Sequence, residues 1–366
     1  MKGSPTKTIC FFNSNKAWGG GEKWHYSTAM ELKRRGYNTI LVTNLRSELR
    51  TKGVAAGLNV YSFLIGNLSF LNPFKLIVLF FFFKTKNVDT IIMNLPADLK
   101  SAGIAARLAG VKNIMYRRGM PHPLRSTWLN RFLFQKVLTK VIVNSEEIGR
   151  SLSQGNEDWF PKDKMVLVYN GVDTHTRIDT SKILYQKKSN EFVIGNAGRL
   201  TSQKGQKHLI EMAEILKSQN INFHVLIAGE GELRSSLVEM IKTKNLQDHV
   251  TLLGHVNDIA AFMNTLDLFV FPSHFEGSAN TLIETLFYQK PIVAFNVSSN
   301  PEIIQHNVNG LLAKAFDSAD LTKCVMELMN SPQLREEFVK NGEKIVKEKF
   351  DNQKIIQALE NMLKQQ

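Results

Sequence analysis

Short apolar runs alternate with longer segments of helical periodicity along almost the whole chain. In the first half the apolar runs are TICFFN, TILVTN, VYSFLI, TIIMNL, NIMYRR, VIVNS and MVLVYN. In the second half they are FVIGNAG, FHVLIAG, VTLLGHV, LDLFVFPS, PIVAFN and GLLA. Uninterrupted apolar runs are typical of parallel strands that helices cover on both faces. The pattern therefore predicts βαβ units and an α/β fold with doubly wound sheets.

The number of predicted strands indicates two domains. Thirteen strands are too many for one ordinary sheet, and 366 residues exceed the usual size of a single core. A polar, strand-poor stretch over residues 169–192 separates the two sets of strands. We predict two Rossmann-like domains, residues 1–172 and 173–345, followed by one or two amphipathic helices.

The most apolar segment is LIVLFFFF, Leu76–Phe83, which lysines flank on both sides. It is far shorter than the roughly 18–20 residues that a spanning helix needs. Two interpretations stay open, a core helix packed on a sheet and an interfacial membrane anchor. We expect the core helix. The N-terminal apolar run is too short to predict a signal peptide.

The net charge is distributed unevenly between the halves of the chain. Residues 1–175 contain 25 Lys and Arg against 11 Asp and Glu, a net +14, whereas residues 176–366 contain 21 against 22, a net −1. A basic first half indicates an anionic partner, which could be a nucleic acid, a phosphorylated substrate or an anionic membrane surface. A solvated basic surface without a partner is the alternative.

The two cysteines, Cys10 and Cys324, lie far apart in apolar surroundings. This pattern favours two buried free thiols over a disulfide and predicts a reducing compartment, the cytoplasm.

Glycines and cations follow the first strand of each half, where ligands of doubly wound domains bind. WGGGEKW (Trp18–Trp24) would let an anion approach the backbone at a helix N-terminus, although a tight turn also explains it. In NAGRLTSQKG (Asn196–Gly205), Arg199 and Lys204 share one loop, so both could converge on a diphosphate. Two solvated surface cations are the alternative there. Neither stretch has the spacing of a dinucleotide fingerprint or a P-loop.

EGSANTLIE (276–284) places two carboxylates eight positions apart around a predicted helix start. On a continuous helix Glu276 and Glu284 would be about 12 Å apart along the axis, roughly the separation of the two sugars that flank a diphosphate. The helix N-terminus near Ala279 to Thr281 would face the phosphates, and the carboxylates would accept hydrogen bonds from sugar hydroxyls. A capping box formed by Thr281 and Glu284 is the structural alternative.

These motifs together resemble the retaining glycosyltransferases of family 4, which have the GT-B fold of two Rossmann-like domains facing a cleft. The resemblance rests on GGGE, YNGVD (Tyr169–Asp173), GRLTSQKG and FVFPSHFEGSANTLIETLFYQKPIVAF, and it covers nearly the whole chain. It implies transfer from a UDP- or GDP-linked sugar with no cofactor and no metal, and no D-x-D motif occurs in the sequence. It also implies that a C-terminal helix over about 346–366 packs back onto the first domain.

The resemblance implies roles for particular residues. Arg199 and Lys204 would bind the diphosphate and stabilise the leaving group. Glu276 would contact the transferred sugar, and Glu284 the ribose. The remaining donor-binding residues that it implies are Gly19, Gly20, Gly21, His255, Val256, Gly277, Ser278, Ala279, Asn280 and Thr281.

The sequence departs from the family pattern at two places. Ala279 stands where the family often has proline, and ETLF follows where a small-residue EA is usual, which bears on the fit of the donor sugar. The first-domain histidine that many members place beside the sugar is replaced by arginine in MYRRGMPHPL. Arg118 and His122 are candidates for its role, and solvent-facing arginines with a loop histidine are the alternative.

From these observations we expect a glycosyltransferase of cell-surface polysaccharide or lipopolysaccharide biosynthesis, acting on a glycan, lipid-linked or phosphorylated acceptor. The basic first half favours such an acceptor and a peripheral position on the inner face of the membrane. Three alternatives stay open: a GT-B nucleotide-sugar epimerase, a non-catalytic nucleotide-sugar sensor and a basic nucleic-acid-binding protein. The last lacks any recognisable nucleic-acid-binding motif.

Overall fold

The computed structural model describes residues 7–179 and 181–364, which divide into two compact units. The first unit contains the described residues up to Asn170 together with those from Gln353 onward, and the second unit is Gly171–Asn352. Each unit is an α/β structure built on one parallel sheet.

Thirteen strands lie within the described residues, and each overlaps one of the thirteen apolar runs. Those of the first unit are β1 (Thr8–Asn13), β2 (Asn38–Thr43), β3 (Asn59–Ser62), β4 (Val88–Met93), β5 (Asn113–Arg118), β6 (Lys140–Val143) and β7 (Met165–Leu167). Those of the second unit are β8 (Phe192–Ala197), β9 (Phe223–Ala228), β10 (Val250–Gly254), β11 (Leu268–Phe271), β12 (Ile292–Phe295) and β13 (Leu311–Ala313). The predicted fold class, α/β with two doubly wound Rossmann-like sheets, is confirmed.

Helices cover both faces of each sheet. In the first unit they are α1 (Gly20–Arg34), α2 (Glu48–Ala55), α3 (Pro73–Thr85), α4 (Pro96–Asp98), α5 (Ile104–Leu108), α6 (Trp128–Phe132) and α7 (Glu146–Ser153), with π-helical turns at Leu99–Gly103 and Leu133–Val137. The second unit has α8 (Lys207–Ser218), α9 (Arg234–Thr243), α10 (Ile259–Thr265), α11 (Asn280–Phe287), α12 (Asn300–Ile303), α13 (Ser318–Asn330) and α14 (Pro332–Lys349). The last helix, α15 (Asn352–Lys364), follows.

The strand order reverses once in each sheet. The order is β3-β2-β1-β4-β5-β6-β7 in the first unit and β10-β9-β8-β11-β12-β13 in the second. The chain therefore winds outward in one direction from β1 or β8, and then in the other direction from β4 or β11. Ligands of doubly wound sheets bind at the carboxyl ends of the strands at such a reversal.

The helix α15 lies against the first unit, although α14 directly before it belongs to the second. Ile356, Leu359 and Leu363 are buried in the same apolar cluster as β1 and α1. Arg35 Nη1 donates to Glu360 at 2.6 Å, and its Nη2 donates to Gln353 Oε1 at 2.6 Å. Apolar packing and the hydrogen bonds of Arg35 thus both attach α15 to the first unit.

The segment Leu76–Phe83 forms most of α3, and the expectation of a core helix is only half correct. Leu79 and Phe83 are buried, because they face the sheet and α5. Phe74 is 77% exposed and Phe81 is 57% exposed. One side of the helix is core, and the other side presents apolar side chains to solvent.

Cys10 and Cys324 are free thiols, as predicted, with Cys10 buried and Cys324 half-buried. None of the helices in the described part of the chain combines the length and the apolar character needed to cross a membrane.

Candidate active site

In the second unit, the reversal of strand order falls between β8 and β11, and the residues predicted to bind a donor follow these two strands. Arg199 and Lys204 lie in the loop after β8, and Glu276 lies in the loop after β11. The three residues therefore belong to neighbouring loops at the edge of the sheet where this fold binds ligands.

Backbone and side-chain hydrogen bonds hold these two loops together. His274 N donates to Gln203 O at 2.8 Å, and Gln203 Nε2 donates to Phe275 O at 2.9 Å. Gly205 has φ +66°, and a Cβ built there would lie 2.1 Å from the carbonyl oxygen of Pro272. Only glycine fits at this position, because the backbone is left-handed and the neighbouring loop touches it.

Lys204 and Glu276 form an ion pair at this edge. Lys204 Nζ donates to Glu276 Oε1 at 2.6 Å, and the two side chains are only 16% and 9% exposed. Arg199 is exposed on the same loop, and its carbonyl oxygen accepts from Gln206 Nε2 at 3.0 Å. The structure thus brings Lys204 to a carboxylate, while the convergence of both cations on a phosphate stays a prediction.

The helix α11 begins at Asn280, with Ala279 as its N-cap residue. The capping-box alternative is wrong, because Thr281 is the second residue inside the helix and not its cap. The continuous-helix spacing of the two glutamates is also wrong, because Glu276 lies in the loop before the helix and only Glu284 is helical. The helix nevertheless starts between Ala279 and Thr281, as predicted.

The loop after β10 continues the same edge. Gly229 N donates to Gly254 O at 2.7 Å, which ties the loop after β9 to the end of β10. His255 is exposed and its Nε2 lies 3.1 Å from Asn257 Oδ1, and Val256 beside it is half-buried. Their predicted place near the base of a nucleotide remains a prediction.

Sequence reasoning missed a histidine pair beside the Glu276 loop. His274 Nε2 lies 3.0 Å from His208 Nε2, and His208 Nδ1 lies 2.6 Å from Ser318 Oγ. Ser318 Oγ in turn donates to Glu211. Burial lowers the pKa of both His208 and His274, so the neutral forms are favoured. In the sequence, the only sign of this pair is His274 itself, a polar side chain in PSHFEG directly after an apolar strand.

In the first unit, the strand order reverses between β1 and β4, and the three glycines lie there. Gly19 is the N-cap of α1, and Gly19 and Gly20 are exposed. A Cβ at Gly21 would lie 2.4 Å from Asn94 Nδ2 at the end of β4. Gly21 therefore lies directly against the Asn94 amide, whereas Gly19 and Gly20 present exposed backbone.

Arg117 is buried, so the solvent-facing alternative is wrong for this residue. Its guanidinium lies 4.6 Å from the centroid of the Trp24 ring and donates to Asn170 Oδ1 at 2.8 Å and to Asn94 Oδ1 at 3.3 Å. Burial lowers the pKa of Arg117 to about 10, which leaves it charged at neutral pH.

The guanidinium of Arg118 contacts the backbone of His122 and not its imidazole ring. Arg118 Nη2 donates to the carbonyl oxygen of His122 at 3.0 Å, and Arg118 Nη1 donates to the Tyr116 hydroxyl at 3.2 Å. The side chain of His122 is exposed. The catalytic roles suggested for both residues stay predictions.

Sequence reasoning also missed a buried polar layer at the carboxyl edge of the first sheet. Asn13 Nδ2 lies 3.0 Å from Glu22 Oε1 and 3.1 Å from His25 Nδ1. Burial and the charge of Arg117 lower the pKa of His25 to about 3, so its ring is neutral. The available signal was that asparagines directly end or follow four strands, Asn13, Asn44, Asn94 and Asn144, and that Asn170 lies three residues after a fifth.

Comparisons with known families agree with this architecture. The family "Glycosyltransferase Family 4" matches residues 18–176, and "Glycosyl transferases group 1" matches residues 178–345. The chain belongs to the group 1 glycosyltransferases and has their GT-B type of fold, with two Rossmann-like units.

Individual proteins resemble the chain over different lengths. The capsular polysaccharide biosynthesis glycosyltransferase CapM of Staphylococcus aureus is 30% identical over 63% of this chain and 64% of its own length. Poly(ribitol-phosphate) alpha-N-acetylglucosaminyltransferase of the same species is 29% identical over 47% of this chain and 35% of its own length. The matches thus span less than two thirds of these relatives.

One solved structure shares the fold over almost its whole length. Anabaena Alr3699/HepE in complex with UDP superposes with a TM-score of 0.83 at 21% identity, covering 98% of this chain and 100% of that chain.

Proposed function

We propose that the chain is a retaining glycosyltransferase that moves a sugar from a UDP- or GDP-linked donor to a glycan, lipid-linked or phosphorylated acceptor without a metal ion. The observation that carries the proposal is the Lys204–Glu276 pair at the strand reversal of the second unit, directly before α11. A half-buried cation, a buried carboxylate and a helix N-terminus at one edge are suited to a sugar diphosphate. The neighbour solved with UDP supports this class of donor.

In the proposed reaction, the bond between the sugar and the diphosphate breaks, and the anomeric carbon forms a bond to an acceptor hydroxyl oxygen. The leaving diphosphate keeps the bonding electron pair, so it gains negative charge, and one of its oxygens takes up the hydroxyl proton. Lys204 and Arg199 would stabilise that charge, and the first turn of α11 would add backbone N–H donors. Before the donor binds, Lys204 is paired with Glu276, so the phosphate would replace Glu276 as the partner of Lys204. Glu276 would then accept hydrogen bonds from sugar hydroxyls.

The proposed biological role is assembly of a cell-surface polysaccharide or lipopolysaccharide at the cytoplasmic face of the membrane. The names of the two relatives support the polysaccharide part, because one acts in capsule biosynthesis and the other on poly(ribitol-phosphate). The net +14 over residues 1–175 supports an acceptor that carries phosphate.

The test is thermal-shift binding of UDP, GDP, ADP and their common sugar derivatives to the wild type and to Glu284→Ala. We expect one nucleoside diphosphate group to raise the melting temperature of the wild type. The variant should bind it about tenfold or more weakly, because the ribose hydroxyls lose a carboxylate acceptor.

Glu239→Ala is the matched control, because Glu239 is an exposed glutamate on α9 of the same unit. No shift of the wild type with any nucleotide would contradict the proposed donor class. If Glu284→Ala and Glu239→Ala lost binding equally, only the proposed role of Glu284 would be contradicted, and the donor class would stand. The stereochemistry is read separately, from the anomeric NMR signal of the product.

A further inference from the structure

An apolar face of the first unit lies in solvent along α3. Phe74, Ile77, Val78 and Phe81 are 77%, 51%, 53% and 57% exposed. They stand at positions i, i+3, i+4 and i+7, the spacing of one continuous helix face. The opposite face of the same helix is the one that packs in the core, through Leu79 and Phe83.

The loop before α3 extends this apolar face. Leu64, Leu68 and Leu71 are 65%, 71% and 66% exposed. A groove of about 330 Å³ separates this loop from the helix, with Leu64, Phe74 and Val78 among its lining residues. Seven large apolar side chains are thus gathered on adjoining elements, whereas exposed apolar residues on a soluble surface are usually scattered singly.

The charges around this face have one sign. No Asp or Glu occurs over residues 64–86, the loop and α3, and three lysines do: Lys75, Lys84 and Lys86. Lys84 and Lys86 lie at the C-terminal end of α3, and Lys75 Nζ donates to Leu64 O at its N-terminal end. An apolar face between cations is complementary to a surface that is apolar inside and anionic outside.

We propose that this face, the α3 surface (residues 64–86), docks the protein onto an anionic phospholipid bilayer. Phe74 and Phe81 would enter the boundary between headgroups and acyl chains, and Lys84 and Lys86 would lie among the lipid phosphates. The helix would lie in the plane of the interface, because its thirteen residues are too few to span. The inference concerns residues other than those proposed to bind the donor, and it stands independently of the proposed function.

Vesicle co-sedimentation tests the proposal, with no sugar nucleotide or acceptor present. We expect the wild type to bind vesicles that contain phosphatidylglycerol, and to bind pure phosphatidylcholine vesicles much more weakly. Phe74→Ser/Phe81→Ser should reduce binding by about tenfold or more, because both rings lose the transfer into the interface. Lys84→Gln/Lys86→Gln should reduce it by roughly fivefold per lysine, and high salt should do the same.

Val238→Ser is the matched control, because Val238 is 49% exposed on α9 of the second unit. Phe74→Ser/Phe81→Ser and Val238→Ser change exposed side chains only, and such changes rarely affect stability. Circular dichroism should therefore show the same folded structure as in the wild type. A direct reading of position comes from Phe81→Trp, whose added fluorescence should be quenched by brominated lipid, whereas that of Val238→Trp should not.

Three outcomes would overturn the proposal. The wild type could ignore anionic vesicles at low salt, or the Phe74→Ser/Phe81→Ser variant could bind them as well as the wild type. Sedimentation velocity without lipid could also show a dimer that this variant dissolves, which would assign the face to a second copy of the chain. Since nucleotide binding is measured without vesicles, failure here and failure of the proposed donor site are distinguishable.

Discussion

The proposed chemistry depends on one residue contact, the ion pair of Lys204 with Glu276. In the described structure its ammonium is nearly buried and lies 2.6 Å from Glu276, with the Phe271 ring centroid 5.6 Å away. A cation in such surroundings has few water molecules to lose when a phosphate arrives, so a new charged contact is stronger there than at an exposed lysine.

We therefore predict that Lys204→Met weakens binding of a nucleoside diphosphate about 10- to 150-fold, the equivalent of a lost hydrogen bond to a charged group. Binding of the matching nucleoside monophosphate should change less, since Lys204 is proposed to contact the diphosphate. Titration calorimetry with UDP and UMP, or GDP and GMP, measures the difference. Lys207→Met, at an exposed position on the adjoining α8, is the control and should bind like the wild type. Equal affinity of Lys204→Met and wild type for the diphosphate would remove Lys204 from the proposed site.

At the scale of elements, the site depends on loops that approach each other closely at the ends of β8 and β9. A Cβ at Gly231 would lie 2.4 Å from the carbonyl oxygen of Leu200. Leu200 N donates to Glu230 O at 2.9 Å, and Leu233 N donates to Leu200 O at 3.0 Å. Backbone atoms have no flexible end that could move aside, so a side chain at residue 231 must displace a loop.

Gly231→Ala should accordingly destabilise this loop pair by about 1–3 kcal/mol, the usual range for overpacking. Hydrogen exchange at Leu200 and Leu233 is the measurement, and both amides should exchange faster. At Gly198, in the same loop, an added Cβ would meet only Lys204 carbons at 3.6 Å or more, so Gly198→Ala should exchange like the wild type. If these two amides exchanged at wild-type rates in Gly231→Ala, the two loops would be able to move apart without loss of stability, contrary to the prediction.

At the scale of the whole molecule, residues from the two ends of the chain share one core. Leu359 is fully buried among Phe11 and Ile9 of β1 and Leu32 of α1. The first unit therefore needs residues that come after the whole second unit in the sequence.

Leu359→Ala should cost the first unit about 2–5 kcal/mol, the range for a buried leucine that leaves a cavity. Amides of β1 and β2 should exchange faster, and those of β8 and β9 should keep the rates of the wild type. Asn361→Ala, at an exposed position on the same helix, is the control. Faster exchange in β8 and β9 alone would contradict the assignment of α15 to the first unit.

Some features of the site and the fold were readable because they are local in sequence. Every strand was marked by its apolar run, since a strand covered on both faces has no polar side to interrupt it. The loops that carry Arg199, Lys204 and Glu276 followed from the same pattern, because the carboxyl ends of parallel strands meet at one edge.

Other features depended on distances that no local pattern encodes. The burial of Arg117 against Trp24 and the pairing of His208 with His274 join residues from separate elements. The capping-box alternative failed because the helix begins at Asn280, two residues before a cap at Thr281 would allow.

The sequence alone thus determined the number and order of strands, the two sheets and the loops proposed to bind the donor, because periodicity and strand direction dictate them. Only the tertiary structure decided which face of α3 is covered. That helix is apolar on all sides, so its sequence contains no asymmetry that selects a packed face. The choice was made by the sheet and α5 beneath it, which cover Leu79 and Phe83 and leave Phe74 and Phe81 in solvent.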